Sequence, residues 1–440
     1  MTILFIQPAV GHKPDGSPYP KTWIMEPLSL AVLSALTPKG IDRIFMDDRL
    51  KEVDYTVKAD VVAMSVECYT AARSYEIADR FRAQGVTVLL GGFHTTLNPH
   101  EAAEHADAIL CGDAETIWAT VLDDLRTHTL KRRYTGTGGV FCPLPDRSLY
   151  RGRPYGNLQL IETARGCSFA CEFCSVTKFF GRRYTPRPLD AVIAEVQTLE
   201  KRNIFFVDDN LAMDLPRLKE LCRRMIPFKK HWVGQLSIHT AKDSELLTLM
   251  AESGCVGVLI GFESLDAATL AAMGKGVNTA NADYARAIEN LRRHHLSIYA
   301  TFVFGYDNDT EETFRHTYAF AMESKFFFAA FNHLVPFPGT DVHARFVREG
   351  RMLHEKWWLD KSVHFGDVVF RPKHFTPDGL SAMCQAYRLK YYSVSSIIRR
   401  GLDWRANAYG PMKAIYYFIS NFAQEREVLR RKGLPNGGEP

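Results

Sequence analysis

The chain has 440 residues, of which 46% are hydrophobic and 24% charged, with a formal net charge of +4. That length allows two or three domains, and the composition is ordinary for a soluble globular protein. The small net charge gives no electrostatic case for nucleic-acid binding, no apolar run reaches a membrane span, and nine cysteines are too sparse for a disulfide framework.

The first 130 residues alternate apolar strands with helical stretches. Strands are read at 3–6, 43–47, 61–66, 86–90 and 108–111, with helices at 28–36 and 74–82. Alternation of this kind predicts α/β structure with a doubly wound parallel sheet. Such sheets bind ligands at the carboxyl ends of their strands. The turns there are Gln7-Pro8, 65–70, Gly91-Gly92-Phe93-His94-Thr95-Thr96 and Gly112-Asp113-Ala114-Glu115. A nucleotide cofactor is the default ligand, yet no G-x-G-x-x-G run is present.

Residues 135–157 are rich in glycine and proline, Pro143 and Pro154 among them, and read as a linker. A short strand over 158–163 then leads into Arg165-Gly166-Cys167-Ser168-Phe169-Ala170-Cys171-Glu172-Phe173-Cys174. The spacing is C-x3-C-x2-C. A cubane iron–sulfur cluster takes four thiolates, so three would leave one iron open to a small molecule. Tetrahedral zinc is the rival and needs a fourth ligand. Cys222 and Cys255 are single residues in apolar contexts, without a second closely spaced pair.

This run, with the aromatic Phe173 before the third cysteine, resembles the signature of the radical S-adenosylmethionine (SAM) superfamily. The resemblance implies that Cys167, Cys171 and Cys174 bind a [4Fe-4S] cluster and that SAM chelates the fourth iron. One electron from the cluster then cleaves a carbon–sulfur bond, usually giving a 5′-deoxyadenosyl radical. An external donor such as flavodoxin or ferredoxin would supply that electron. Phe173 would pack near the adenine, with a plain core aromatic as the alternative. A reducing, cytoplasmic setting suits such a cluster.

Beyond the cysteines, strands are read at 204–207, 232–238, 256–262, 297–304 and 328–334, with helices at 189–201, 215–225, 243–252, 279–294 and 311–324. Thr279 is a candidate N-cap. With the strand at 158–163 this makes six β/α units, a partial barrel with its chemistry at the strand ends. By position on the barrel, the resemblance implies SAM contacts from Asp208, Asp209, Gln235, Ser237 and Glu263. Helix capping and solvated turns are the alternative for Asp208-Asp209-Asn210 and Glu263-Ser264.

The turns of the N-terminal sheet resemble the cobalamin-binding domain that precedes the barrel in one large radical SAM subfamily. That implies cobalamin contacts from Ser65, Gly91, Gly92, His94, Gly112 and Glu115. The D-x-H-x-x-G run of methionine synthase-like cobalamin domains is missing, and neither His12 nor His94 sits in that pattern. The expected organisation is a cobalamin-binding-like domain at 1–134, a linker at 135–157, a partial barrel at 158–342 and a mainly helical extension at 343–440.

In that extension aromatic and basic residues interleave at helical spacing, including Trp357, Trp358, Trp404 and Tyr416, which predicts a helical cap packed on the barrel. The last residues, 433–440, read as a tail. The resemblance implies cobalamin-dependent methyl transfer to an unactivated carbon of a small molecule. It leaves open transfer of the 3-amino-3-carboxypropyl group, a cyclisation or rearrangement, and a non-catalytic cobalamin or metal sensor.

Overall fold

The computed structural model describes residues 1–11, 24–139, 141, 144–276 and 283–431. His12, Pro143, Thr279 and the segment 433–440 lie outside the described residues.

Strands β1 (Thr2–Gln7), β2 (Asp42–Asp47), β3 (Val61–Ser65), β4 (Thr87–Gly91), β5 (Ala108–Cys111) and β6 (Arg133–Thr135) form a wholly parallel sheet, ordered β2-β1-β3-β4-β5-β6. Ile3, Leu4, Phe5 and Ile6 of β1 are all fully buried, as a strand covered on both faces requires. The order reverses between β1 and β3, the kind of switch point where open sheets hold ligands. Helices α1 (Leu28–Leu36), α2 (Ala71–Ala83), α3 (Phe93–Leu97), α4 (Pro99–Glu104) and α5 (Trp118–Arg126) cover the sheet. Strand β6 was not anticipated: it is three residues long, and its one buried side chain, Tyr134, gives no periodic signal.

Strand β7 (Gln159–Ile161) leads into a short antiparallel pair, β8 (Ala164–Arg165) and β9 (Thr185–Pro186), which brackets the cysteine loop and helix α6 (Ser175–Phe180). Then come β10 (Asn203–Phe206), β11 (His231–Leu236), β12 (Cys255–Glu263), β13 (Ser297–Phe304) and β14 (Phe328–His333). With β7 they make a second parallel sheet, ordered β14-β13-β12-β11-β10-β7. These are the six strands of the partial barrel. Helices α7 (Leu189–Thr198), α8 (Leu215–Met225), α9 (Ser244–Glu252), α10 (Ala267–Ala272), α11 (Tyr284–Arg293) and α12 (Glu311–Glu323) connect them. Along each strand, alternate residues such as Trp232, Ile260, Phe302 and Phe331 are buried in the core shared with these helices. The residues between them, Gln235 and Tyr299 for example, stay open on the inner face. Asp283 caps α11 by accepting from the Arg286 amide at 2.9 Å.

Helices α13 (Asp341–Arg348), α14 (Pro377–Tyr391), α15 (Val394–Gly401) and α16 (Pro411–Arg431) complete the chain. The extension is helical as expected, but its aromatics are not uniformly a cap on the barrel. Trp357 and Trp358 lie in the stretch between α13 and α14 and are buried in the core of the N-terminal sheet. The Trp357 indole donates to the Pro336 carbonyl at 3.2 Å, and the Trp358 indole to Glu101 at 2.9 Å. Trp404 and Tyr416 are exposed. Among the described residues no helix is long and apolar enough to cross a membrane.

Candidate active site

The cysteine loop starts at the carboxyl ends of β7 and β8. Gly166 takes a φ of +78°, and a Cβ there would stand 2.0 Å from the Arg183 carbonyl oxygen, so only glycine fits this turn. Its amide donates to Asp209 Oδ2 at 2.9 Å. Asp208 points the other way and accepts from the Thr163 amide at 2.7 Å and the Thr163 hydroxyl at 2.5 Å. The adjacent carboxylates thus brace two different turns of the loop's approach. Burial pushes the Asp208 carboxyl up to about 7, against the pull of Thr163.

Downstream, the Glu172 amide donates to the Met273 carbonyl at 3.0 Å, and the Val342 amide to the Glu172 carbonyl at 3.1 Å. The Glu172 carboxylate holds Arg345 at 2.9 Å. The loop is therefore pinned to the end of α10 and the start of α13. Cys171 is buried, Cys167 and Cys174 are half-buried, and all three are free thiols. The Cys174 amide donates to the Cys171 carbonyl at 3.1 Å, and Cys167 Sγ lies 3.6 Å from Met213 Sδ. Burial pushes the Cys171 thiol up to about 11 and raises that of Cys167, with the Lys275 charge opposing both. A metal centre must displace those protons.

Among the described residues no three histidine, cysteine or carboxylate side chains converge as they would around a single metal ion. A cluster distributes its thiolates over separate irons, and three thiols on one pinned loop suit that. Cys222 is buried within α8 and Cys255 at the start of β12, and burial pushes the Cys222 thiol up to about 11. Both are core residues.

Other strand ends close around the loop. Glu263 sits at a register shift between β12 and β13 with a φ of +64°, a left-handed conformation that costs a non-glycine residue and often marks a working site. Its carboxylate holds Lys275 Nζ at 2.6 Å, and the same ammonium donates to the Gly261 carbonyl at 2.9 Å. Ser237 Oγ accepts from Asn210 Nδ2 at 2.9 Å. Gln235 is exposed on the inner face of the sheet, and Phe173 packs against the barrel core. Lys275 escaped the sequence reading because it lies in a turn after α10 with no motif around it.

The N-terminal sheet meets this loop end to end. Phe93, opening α3, stacks on Phe179 of α6 with ring centroids 4.2 Å apart. Arg165 reaches across to Asp113 at 3.1 Å, pairs with Glu115, and closes on Glu162 at 2.8 Å. Glu115 is thus committed to an ion pair. His94 is buried: its Nε2 faces Glu101 at 3.0 Å and its Nδ1 faces Asn98 at 3.4 Å. Gly92 has a φ of +98°, and a Cβ there would stand 2.7 Å from the backbone of Val66 and 2.9 Å from Ser65 Oγ. Gly91 pairs in register with Ser65. Gly112 packs on Gly136, whose carbonyl oxygen would be 2.6 Å from an added Cβ. These two glycines are thus required by the protein's own backbone. Beside them, the Thr95 hydroxyl is buried without a partner.

The site is thus a loop of three free thiols pinned at the strand ends of a partial parallel barrel. Residues 161–321 match the radical SAM superfamily model. Bacteriochlorophyllide d C-12(1)-methyltransferase of Chlorobaculum tepidum is 30% identical over 391 residues, covering 85% of this chain and 84% of that one. The C-8(2)-methyltransferase of the same organism is 29% identical, covering 88% and 89%. The solved structure of the radical SAM methyltransferase TsrM from Kitasatospora setae, with cobalamin and a [4Fe-4S] cluster bound, shares the fold with a TM-score of 0.69 at 16% identity, covering 97% of this chain and 99% of that one. The chain belongs to the radical S-adenosylmethionine superfamily. It is an enzyme of that superfamily, whose cofactors are a [4Fe-4S] cluster and SAM.

Proposed function

We propose that this enzyme is a cobalamin-dependent methyltransferase that methylates carbon on a tetrapyrrole or a similarly large, flat, apolar substrate. The observation that carries this reading is the match to the two bacteriochlorophyllide methyltransferases over most of both chains. An anaerobic magnesium-protoporphyrin IX monomethyl ester cyclase of Rubrivivax gelatinosus is also similar, at 27% identity over 78% of this chain, which supports the same substrate class.

In this reading Cys167, Cys171 and Cys174 hold the cluster. Asp209, Gln235, Ser237, Glu263 and Phe173 flank SAM, and Lys275 fixes the Glu263 carboxylate. Asp208 serves as a brace, since Thr163 occupies both of its oxygens. Cobalamin would lie at the carboxyl end of the N-terminal sheet, among Ser65, Gly91, Gly92, Gly112 and the unpaired Thr95 hydroxyl. His94 would not ligate cobalt, because both ring nitrogens are engaged and the ring is buried. The chemistry these groups supply when bound is reductive cleavage of SAM and carriage of a methyl group. The chain's own part would be to hold the two sites together, as the Phe93–Phe179 stack joins α3 of the N-terminal sheet to α6 beside the cysteine loop.

The test is anaerobic reconstitution with SAM, a reductant, cobalamin and a bacteriochlorophyllide acceptor. The reading expects 5′-deoxyadenosine and S-adenosylhomocysteine together with a product heavier by one methylene. Methylthioadenosine would indicate aminocarboxypropyl transfer instead. Cleavage of SAM with formation of a new product isomeric with the acceptor would favour a rearrangement or a redox-neutral cyclisation.

A further inference from the structure

The last two helices present an apolar face to solvent. Helix α15 is fixed by its inner side: the Arg400 guanidinium is buried against the Phe326 carbonyl at 3.0 Å and Asn421 Oδ1 at 3.2 Å. The Tyr417 hydroxyl donates to the Ile397 carbonyl at 2.9 Å, which locks α16 onto α15. With those faces pinned, the outer faces are set by helical spacing. On α15 that face carries Val394 and Ile398, with Leu402 just beyond the helix. Trp404 follows, 71% exposed. On α16 it carries Met412, Ile415, Ile419 and Phe422, with Met412 78% and Ile419 66% exposed. Contiguous apolar surface of this kind marks a binding surface.

The charges on the same helices discriminate between occupants. Among the described residues, the exposed charged side chains of α15 and α16 are Arg399, Arg426 and Arg430. Glu425 is half-buried and Glu427 buried. A second copy of the chain docked about a two-fold axis would set this patch against itself, and the patch offers no exposed carboxylate to pair with its arginines. A nucleic acid would want stacking platforms, whereas the exposed large apolar side chains of the two helices are aliphatic except for Tyr416 and Phe422. An anionic bilayer supplies both an apolar layer for the side chains and phosphates for the arginines, as for helices that lie in a membrane interface.

We infer that α15 and α16 form an interfacial docking surface for an anionic lipid bilayer, with the helices lying in the headgroup layer rather than crossing it. The inference rests on this surface alone and holds whatever the substrate. The test is co-sedimentation of the full-length protein with phosphatidylcholine vesicles, with and without phosphatidylglycerol. Binding is expected to the phosphatidylglycerol vesicles and to weaken as salt is raised. An Ile415→Glu/Ile419→Glu variant should lose about 100-fold in partition, each exposed isoleucine contributing about tenfold. Its circular dichroism and melting temperature should be unchanged, since both positions are exposed. Arg426→Glu/Arg430→Glu should lose the preference for phosphatidylglycerol. Absence of vesicle binding overturns the inference. So does a wild-type dimer in sedimentation velocity that Ile415→Glu/Ile419→Glu makes monomeric while vesicle binding persists, and so does binding to single-stranded RNA in place of vesicles.

Discussion

Arg165, two residues before the first cysteine of the loop, holds Asp113 of the N-terminal sheet at 3.1 Å. The same guanidinium serves Glu115 and Glu162 and lies 4.7 Å above the Phe141 ring. One cation thus answers three carboxylates at the seam between two sheets. Its side chain is only 12% exposed, so the cluster is screened weakly by solvent.

Removing that cation should be costly. Arg165→Gln leaves the carboxylates facing one another, and a destabilisation of about 3 kcal/mol is expected. Chemical denaturation checks it. Adding Asp113→Asn and Glu115→Gln to the Arg165→Gln chain should recover part of the loss, because the repulsion is then gone.

Each of Cys167→Ala, Cys171→Ala and Cys174→Ala should abolish cluster assembly, read as loss of the iron–sulfur absorbance and of bound iron after anaerobic reconstitution. A variant that retained an intact cluster would remove that residue from the ligand set.

Gly166→Ala should impair the loop without touching a thiol. The added Cβ meets the Arg183 carbonyl oxygen at 2.0 Å, and the left-handed backbone adds about 1–3 kcal/mol of strain. The expected result is a lower melting temperature together with less iron bound per chain. An alanine variant that loads iron like the parent would show that the loop relaxes freely.

Acid should weaken the join between the N-terminal sheet and the C-terminal extension. Burial pushes the Glu101 carboxyl up, but hydrogen bonds from His94 and Trp358, the His94 charge and Lys356 outweigh it and hold the group at about 2, below its ordinary 4.5. A depressed carboxyl stabilises the fold above its unfolded pKa, and that stability drains as pH falls from 4.5 towards 2. The loss should be about 2 kcal/mol over that window. Glu101→Gln should flatten this part of the stability-against-pH curve, measured by urea denaturation at stepped pH.

How much of this was legible in the sequence depended on whether the signal was local. The cysteine spacing is carried within ten residues, and the strands within short apolar runs; both are visible without partners. Asp208 and Asp209 look alike as adjacent carboxylates, and only the fold separates them, sending one to Thr163 and the other to Gly166. Lys275 matters through Glu263, twelve residues earlier, and no periodicity marks it. His94 was a natural candidate for contact with a cofactor because it follows a Gly-Gly turn. Its engagement by Glu101 is local, but the burial of that pair depends on Trp358, which is 257 residues from Glu101. Aromatic spacing in the extension suggested a cap on the barrel because it cannot say which core an aromatic joins.

The placement of Trp357 and Trp358 bears on how the molecule is made. A chain emerging from the ribosome normally completes its first domain before the next appears. Here the core under β3 and β4 lacks two of its largest side chains until residues beyond 358 have been synthesised, with Val363 and Val369 later still. The first sheet must wait, partly open, through the whole production of the barrel, and closing so long a loop is slow. A chain truncated after residue 342 should therefore bind more apolar dye than the intact chain, whose own dye binding is confined to the exposed face of α15 and α16. The finishing step of biosynthesis is a return to the beginning, and the nascent enzyme is vulnerable to aggregation until that return is made.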